Sequence, residues 1–190
     1  MNQASYSDKS WIVELLTQAF LDNKSVNYVV KQDAKRHRRI ANLMAYSFEI
    51  CWNWGKVYIS DDKKAAVLVL IPQHKKTNFK AIKLDVQLVL NAVGIRKVTK
   101  VLSRESKIKK HHPEQPFFYL WFIGVAPEHQ QQGIGSALLN EIIRESGRQN
   151  YPIYLETSTA ENLPFYKKFN FSIYHTMKFG FPLYFMRLES

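Results

Sequence analysis

The sequence predicts one α/β domain built on a mixed central sheet flanked by helices, and three observations predict it. A nearly uninterrupted apolar run at residues 117–125 is followed by an amphipathic stretch at 133–148 and a second apolar run at 153–157. That is a strand, crossover helix, strand unit, whose two strands are expected to be parallel and joined right-handedly. Two amphipathic helices and a hairpin precede the unit, and a second hairpin closes the chain. At 190 residues and 46% hydrophobic composition the chain suits a single domain, with a basic helical insertion at about residues 75–112.

The elements follow in order. Trp11, Ile12, Leu15, Leu16, Ala19 and Phe20 recur at helical spacing within residues 9–20. Ile40, Leu43, Met44, Phe48 and Cys51 repeat the pattern within 34–52, where Cys51 reads as a core residue, and Gly55 ends that helix. Residues 56–60 and 65–71, separated by Asp61-Asp62-Lys63-Lys64, predict a hairpin that Pro72 closes. Phe79, Ile82, Val86, Val89, Leu90 and Val93 form a further helical stripe, which Gly94 interrupts before a basic helical stretch at 95–110. The run 117–125 reads as a strand buried on both faces, and Ile134, Ala137, Leu138 and Ile142 as the inward stripe of the helix after it. Pro164 starts a short helix, and residues 171–177 and 183–188 make the terminal hairpin.

Composition narrows the function. With Cys51 the only cysteine, neither an intrachain disulfide, a CxxC redox pair nor a four-ligand Cys/His zinc site can be written. His111-His112 is an adjacent pair on a loop with no evident carboxylate or third histidine, and His37, His74, His129 and His175 are scattered, so no metal is expected. Residues 1–20 read as mature protein without a signal, and every apolar run falls short of the ~20 residues of a membrane helix. A soluble cytoplasmic protein without a membrane partner is expected. The net charge is +11, and residues 75–110 hold eleven basic side chains against Asp85 and Glu105. This segment reads either as a solvated face or as an anion-attracting rim. It lacks the aromatic platforms and motifs of nucleic-acid readers, so nucleic acid is not an expected partner.

The most informative residues are Gln130-Gln131-Gln132-Gly133-Ile134-Gly135-Ser136, where the apolar strand turns into a helix. Two glycines let backbone approach a ligand, and a helix N-terminus offers unpaired N–H groups to phosphate. A Rossmann fingerprint needs a third glycine where Leu138 stands, and a P-loop needs Gly-Lys-Ser or Gly-Lys-Thr; neither is present.

Val125-Ala126-Pro127 followed by Gln130-x-x-Gly133-x-Gly135 resembles motif A of the GNAT N-acetyltransferase superfamily, and Phe165-Tyr166-Lys167-Lys168-Phe169-Asn170-Phe171 resembles its motif B. The resemblance covers about residues 117–171 and implies the GNAT acyl-CoA N-acyltransferase fold, with the two parallel strands splayed. It implies that the pantetheine arm of acetyl-CoA lies in the opening against backbone near Ile123 and Val125. It implies further that residues 130–136 wrap the diphosphate, with Asn162 and Tyr166 near the coenzyme. Thr159 stands where the family commonly has Asn, Asn162 where a small residue is usual, and Asn170 where Gly often ends motif B.

The implied reaction is acetyl transfer from acetyl-CoA to a primary amine of a small molecule or protein. A backbone N–H near Ile123 would polarise the thioester carbonyl. Tyr166 matches the family's proton donor to the leaving thiolate. Glu156, an acid set in an apolar strand, is the candidate base; burial there is expected to raise its pKa, while pairing with a cation or orienting substrate is the competing role. Glu128, expected to face solvent, is a lesser candidate. The partners read from the sequence are acetyl-CoA and an amine acceptor, with a homodimer left open and the positive charge favouring neutral or acidic amines. The alternative is a non-catalytic acyl-CoA-binding or nucleic-acid-binding module on the same fold.

Overall fold

The computed structural model describes residues 1–189. The first helix, α1 (Lys9–Ala19), is followed by a short α2 (Lys24–Val29) that the sequence pattern did not reveal, and by α3 (Arg36–Trp54). Helix α3 passes into strand β2 (Gly55–Ile59) with no intervening loop. Gly55 makes that possible, because a Cβ there would sit 2.0 Å from the carbonyl oxygen of Val69 on the next strand. Strand β3 (Ala65–Leu70) completes the hairpin in antiparallel register, Gly55 opposite Leu70 and Ile59 opposite Ala66. At the far edge Asn2–Gln3, strand β1, pairs with β2.

The basic insertion forms α4 (Phe79–Leu88), a π-helical turn (Val89–Val93), and α5 (Val98–Lys109), with Gly94 at φ 78° between them. Strand β4 (Phe118–Val125), helix α6 (Ile134–Gln149) and strand β5 (Ile153–Thr157) follow, then α7 (Leu163–Lys167) and the hairpin β6 (Ser172–Lys178) and β7 (Pro182–Leu188). The seven strands make one sheet in the order β1-β2-β3-β4-β5-β7-β6, antiparallel except for the β4–β5 pair.

Apolar clusters cover both faces of the sheet. Ala66, Leu68 and Leu70 pack with α1 and α3 on one face; Ala65, Val67 and Val69 pack with Leu138, Leu139 and Ile142 of α6 on the other. A bulge shifts the β3–β4 register, with Leu68 opposite Phe122 but Val69 opposite Leu120, leaving Trp121 as the extra residue. Phe118 and Leu120 therefore face α6, Trp121 and Phe122 both lie on the α1 and α3 side, against Tyr46 and Phe20, and Ile123 and Val125 return to the α6 side. A third cluster joins Ile108 of α5 to Leu183 and Phe185 of β7. Arg39 and Asn42 of α3 both donate to the carbonyl of Asn91 in the π turn. So fastened at both ends, the insertion runs from α3 to the terminal hairpin.

Three expectations are corrected. Strand β4 alternates buried and half-buried residues instead of being sealed on both faces, and the half-buried Tyr119, Trp121 and Ile123 line a cavity. In α6, Ala137 is exposed and Leu139 takes its place inside. Of the stripe at 79–93, Phe79, Ile82 and Val86 of α4 and Leu90 of the π turn face outward and Val93 is buried, while Ala81, Leu84 and Leu88 turn toward α3. Both faces of α4 are apolar, and a period of 3.6 residues does not choose between them.

Candidate functional site

Strands β4 and β5 are paired only at Phe118 with Ile153 and Tyr119 with Tyr154. Beyond Tyr119, β5 continues alongside β7, with Glu156 opposite Phe185, while β4 runs on beside β3. The two strands thus splay, and the backbone of Trp121 to Val125 on that edge is left without a β5 partner. Leu120, Ile123, Glu156 and Tyr166 line the cavity at the splay, which has a volume of about 650 Å³ and extends beneath the insertion to Val101 and Glu105. That size suits a small-molecule site.

At the end of β4 the loop turns sharply. Gln131 has φ 62° and Gly133 has φ 81°, both left-handed. The first amide of this region to bond into the helix is that of Ala137, which donates to the Gly133 carbonyl at 3.0 Å. Among the described residues, the backbone N–H groups of Gln131, Gln132, Gly133, Ile134, Gly135 and Ser136 have no acceptor. Gln130 and Gln132 turn their side-chain amides back, to the carbonyls of Val125 (3.3 Å) and Glu128 (3.4 Å), which steadies the loop. Gln130 to Gly133 are exposed, and Ile134, Gly135 and Ser136 half-buried. Unpaired amides at the positive end of a long helix are a ready anion receptor.

Tyr166 lines the cavity, 7% exposed, packed against Phe165 and Phe171. Burial alone pushes its phenol far up, so it stays protonated and able to donate. Asn162, exposed in the turn before α7, also lines the cavity, and Glu128 faces solvent. Asn170 adopts the left-handed conformation, φ 63°, so the turn survives without glycine.

Glu156 lies at the junction, its side chain 5% exposed. Tyr119 donates its hydroxyl to Oε2 at 2.5 Å, and His112 Nε2 meets Oε1 at 2.8 Å. Since Tyr154 pairs with Tyr119, Glu156 lies two residues further along the same face, within diagonal reach of that tyrosine. Burial, and after it the Glu156 charge, pushes the Tyr119 phenol well above its ordinary range. This overturns the reading of the histidines as unpartnered: His112 has a carboxylate, and His111 stacks on His175 with ring centroids 3.8 Å apart. A loop that looks isolated in sequence is brought over β5 by the α5–β7 contact. Among the described residues no group of His, Cys, Asp or Glu side chains is arranged to hold a metal ion.

Sequence reasoning also missed the wall contributed by α5. Arg104, 6% exposed, donates to Glu105 at 2.6 Å and to the Ser25 hydroxyl at 2.5 Å, with its guanidinium over Tyr28 and Phe179. Burial raises the pKa of Glu105 against the pull of Arg104, and the Glu156 charge adds to the rise. A helical period and a run of lysines gave no signal for an inward Arg–Glu pair.

The family model of the acetyltransferase (GNAT) domain matches residues 97–173, a span that includes the loop, the splayed strands and α7. Among solved structures, the histone acetyltransferase HPA2 and related acetyltransferase from Corynebacterium glutamicum superposes with a TM-score of 0.70 at 18% identity, covering 98% of this chain and 93% of that one. Arylalkylamine N-acetyltransferase 2 from Aedes aegypti gives 0.67 at 13% identity, covering 99% and 97%. A probable serine/threonine-protein kinase from Dictyostelium discoideum is 27% identical over 85 residues, 44% of this chain but 9% of that protein, so the chain spans under a tenth of that relative. The domain match falls on the residues that build the site, and the structural likeness extends over nearly the whole length, so that residues 97–173 resemble a GNAT acetyltransferase domain and the chain as a whole shares the fold of these structures.

Proposed function

We propose that the chain is an acetyl-CoA-dependent N-acetyltransferase that moves the acetyl group directly to a primary amine. The observation that carries this reading is the run of unpartnered amides at residues 131–136, opening at the end of a splayed strand. An anionic linked phosphate satisfies those donors, and the unpaired edge of β4 near Ile123 and Val125 suits the amides of a pantetheine arm. Acetyl-CoA supplies an activated acyl thioester. A β4 backbone N–H near Ile123 donates to the carbonyl oxygen as charge develops there.

The protons move through side chains. With Glu156 as a carboxylate that only accepts, the His112 proton belongs on Nε2, which leaves the Nδ1 lone pair free. Glu156 then fixes the ring, and His112 Nδ1 takes the proton of the ammonium acceptor. The amine nitrogen attacks the carbonyl carbon, the C–S bond breaks, Tyr166 gives its proton to the departing thiolate, and the second proton, shed by the new amide nitrogen, returns to the Tyr166 phenolate. Cys51 is sealed in the core with its thiol pushed well up by burial, which supports direct transfer over a cysteinyl acyl-enzyme.

The cavity also bears on the acceptor. Leu88, Val89, Val93 and Val101 make its insertion side apolar, and Glu105, bonded to Arg104 through one oxygen, stands in the same wall. An ammonium head on an apolar body suits that lining, in place of the neutral or acidic amines suggested by total charge. The test is an acceptor panel with acetyl-CoA, read by thiol release. 2-Phenylethylamine should be turned over at least about tenfold more efficiently than spermidine. No thiol release with any amine would contradict the proposal.

A further inference from the structure

We propose that the outer face of the insertion is a docking surface for anionic lipid membranes. Among the described residues, large apolar side chains are exposed chiefly there: Phe79 (94%), Ile82 (51%), Val86 (51%), Leu90 (58%) and Ile95 (75%), with Leu102 (62%) on the cavity side and only Tyr6 and Ile173 elsewhere. The first four recur at intervals of three and four residues, so they form one continuous ridge on α4 and the π turn. Lys83 adjoins that ridge, and Lys76, Arg96 and Lys100 are exposed on the same segment.

The charges are also unspent. Of the insertion's eleven basic residues, only Arg104 has a carboxylate within ion-pair distance among the described residues. Its two acids do not offset them: Asp85 accepts from the Tyr46 hydroxyl at 2.7 Å, and Glu105 is bonded to Arg104. An apolar ridge edged by uncompensated cations is the chemistry of a helix that lies in an anionic interface without crossing it. No helix among the described residues is long and apolar enough to cross a membrane, and lying in the interface requires none.

Two other occupants fit less well. A second copy docked by the same face would bring two strongly basic segments together. Single-stranded nucleic acid would want aromatic platforms, and Phe79 is the ridge's one aromatic residue.

The test is co-sedimentation of the full chain with vesicles of phosphatidylcholine alone or with about 30% phosphatidylserine. Binding to the anionic vesicles should be at least about tenfold stronger and weaken steeply with salt. Phe79→Ser with Leu90→Ser removes exposed side chains only and should cut that binding about tenfold at unchanged charge. Equal binding to both vesicles, none to either, or an unaffected double variant overturns the proposal. So does light scattering that shows a dimer dissociated by the same two substitutions. None of these readouts depends on acyl transfer.

Discussion

His112 Nε2 meets Glu156 Oε1 at 2.8 Å, joining residues 44 positions apart in the chain. The contact turns a strand carboxylate and a loop imidazole into one unit, with Tyr119 holding the other carboxylate oxygen. If Glu156 works by orienting His112, the two substitutions His112→Ala and Glu156→Gln should each lower kcat about 10²-fold, and the double variant little more than either. Steady-state kinetics on the three variants checks this; additive losses would separate the pair.

In the proposed reaction Tyr166 protonates the leaving thiolate. Its hydroxyl lacks a protein partner among the described residues, and Phe at this position keeps the packing on Phe165 and Phe171. Tyr166→Phe should therefore lower kcat by about 10²-fold while the Kd for acetyl-CoA stays within about twofold. Full activity in the variant would remove the hydroxyl from the reaction.

Gly133 holds the loop open by its backbone alone. A Cβ there would meet nothing within 4 Å, yet φ 81° is a conformation that a β-branched residue resists. Gly133→Val should weaken acetyl-CoA binding about tenfold or more with little change in Tm, read by calorimetry and thermal melting side by side. A large fall in Tm with unchanged affinity would make the glycine structural only.

Much of the fold was legible because its elements declare themselves locally. The strand, helix, strand unit showed in apolar runs of the right length, and the loop of unpaired amides showed because two glycines interrupt a helix start. What stayed hidden depends on register. Tyr119 and Glu156 meet only because β4 and β5 pair at Tyr119 and Tyr154 and then part. The bulge at Trp121 leaves no trace in an apolar run. The helical stripe begun by Phe79, Ile82 and Val86 shows in the sequence, but Ala81, Leu84 and Leu88 are apolar at the same period, so spacing alone does not say which face packs on α3.

Acid stability has a nameable contributor at the other end of the molecule. Hydrogen bonds from the Ser5 hydroxyl (2.7 Å) and amide (2.9 Å), with help from Lys63, hold the Asp8 carboxyl at about 2 from an ordinary 3.8. A folded pKa below the unfolded one means stabilisation that is complete above the unfolded value and lost as pH falls through the folded one. Asp8→Asn should lower Tm at pH 6 and lose that difference from wild type between about pH 4 and pH 2. A constant gap across that window would contradict the assignment.

The central claim is that the amides of residues 131–136 are the diphosphate receptor. The most direct measurement is a titration of ¹⁵N-labelled protein with acetyl-CoA, following the amide signals of Gln131, Gln132, Gly133, Ile134, Gly135 and Ser136. These amides should move together and saturate with one ligand, and acetyl-pantetheine, which lacks the diphosphate, should leave them in place. If they stay put under acetyl-CoA, or respond equally to acetyl-pantetheine, the loop is not the receptor.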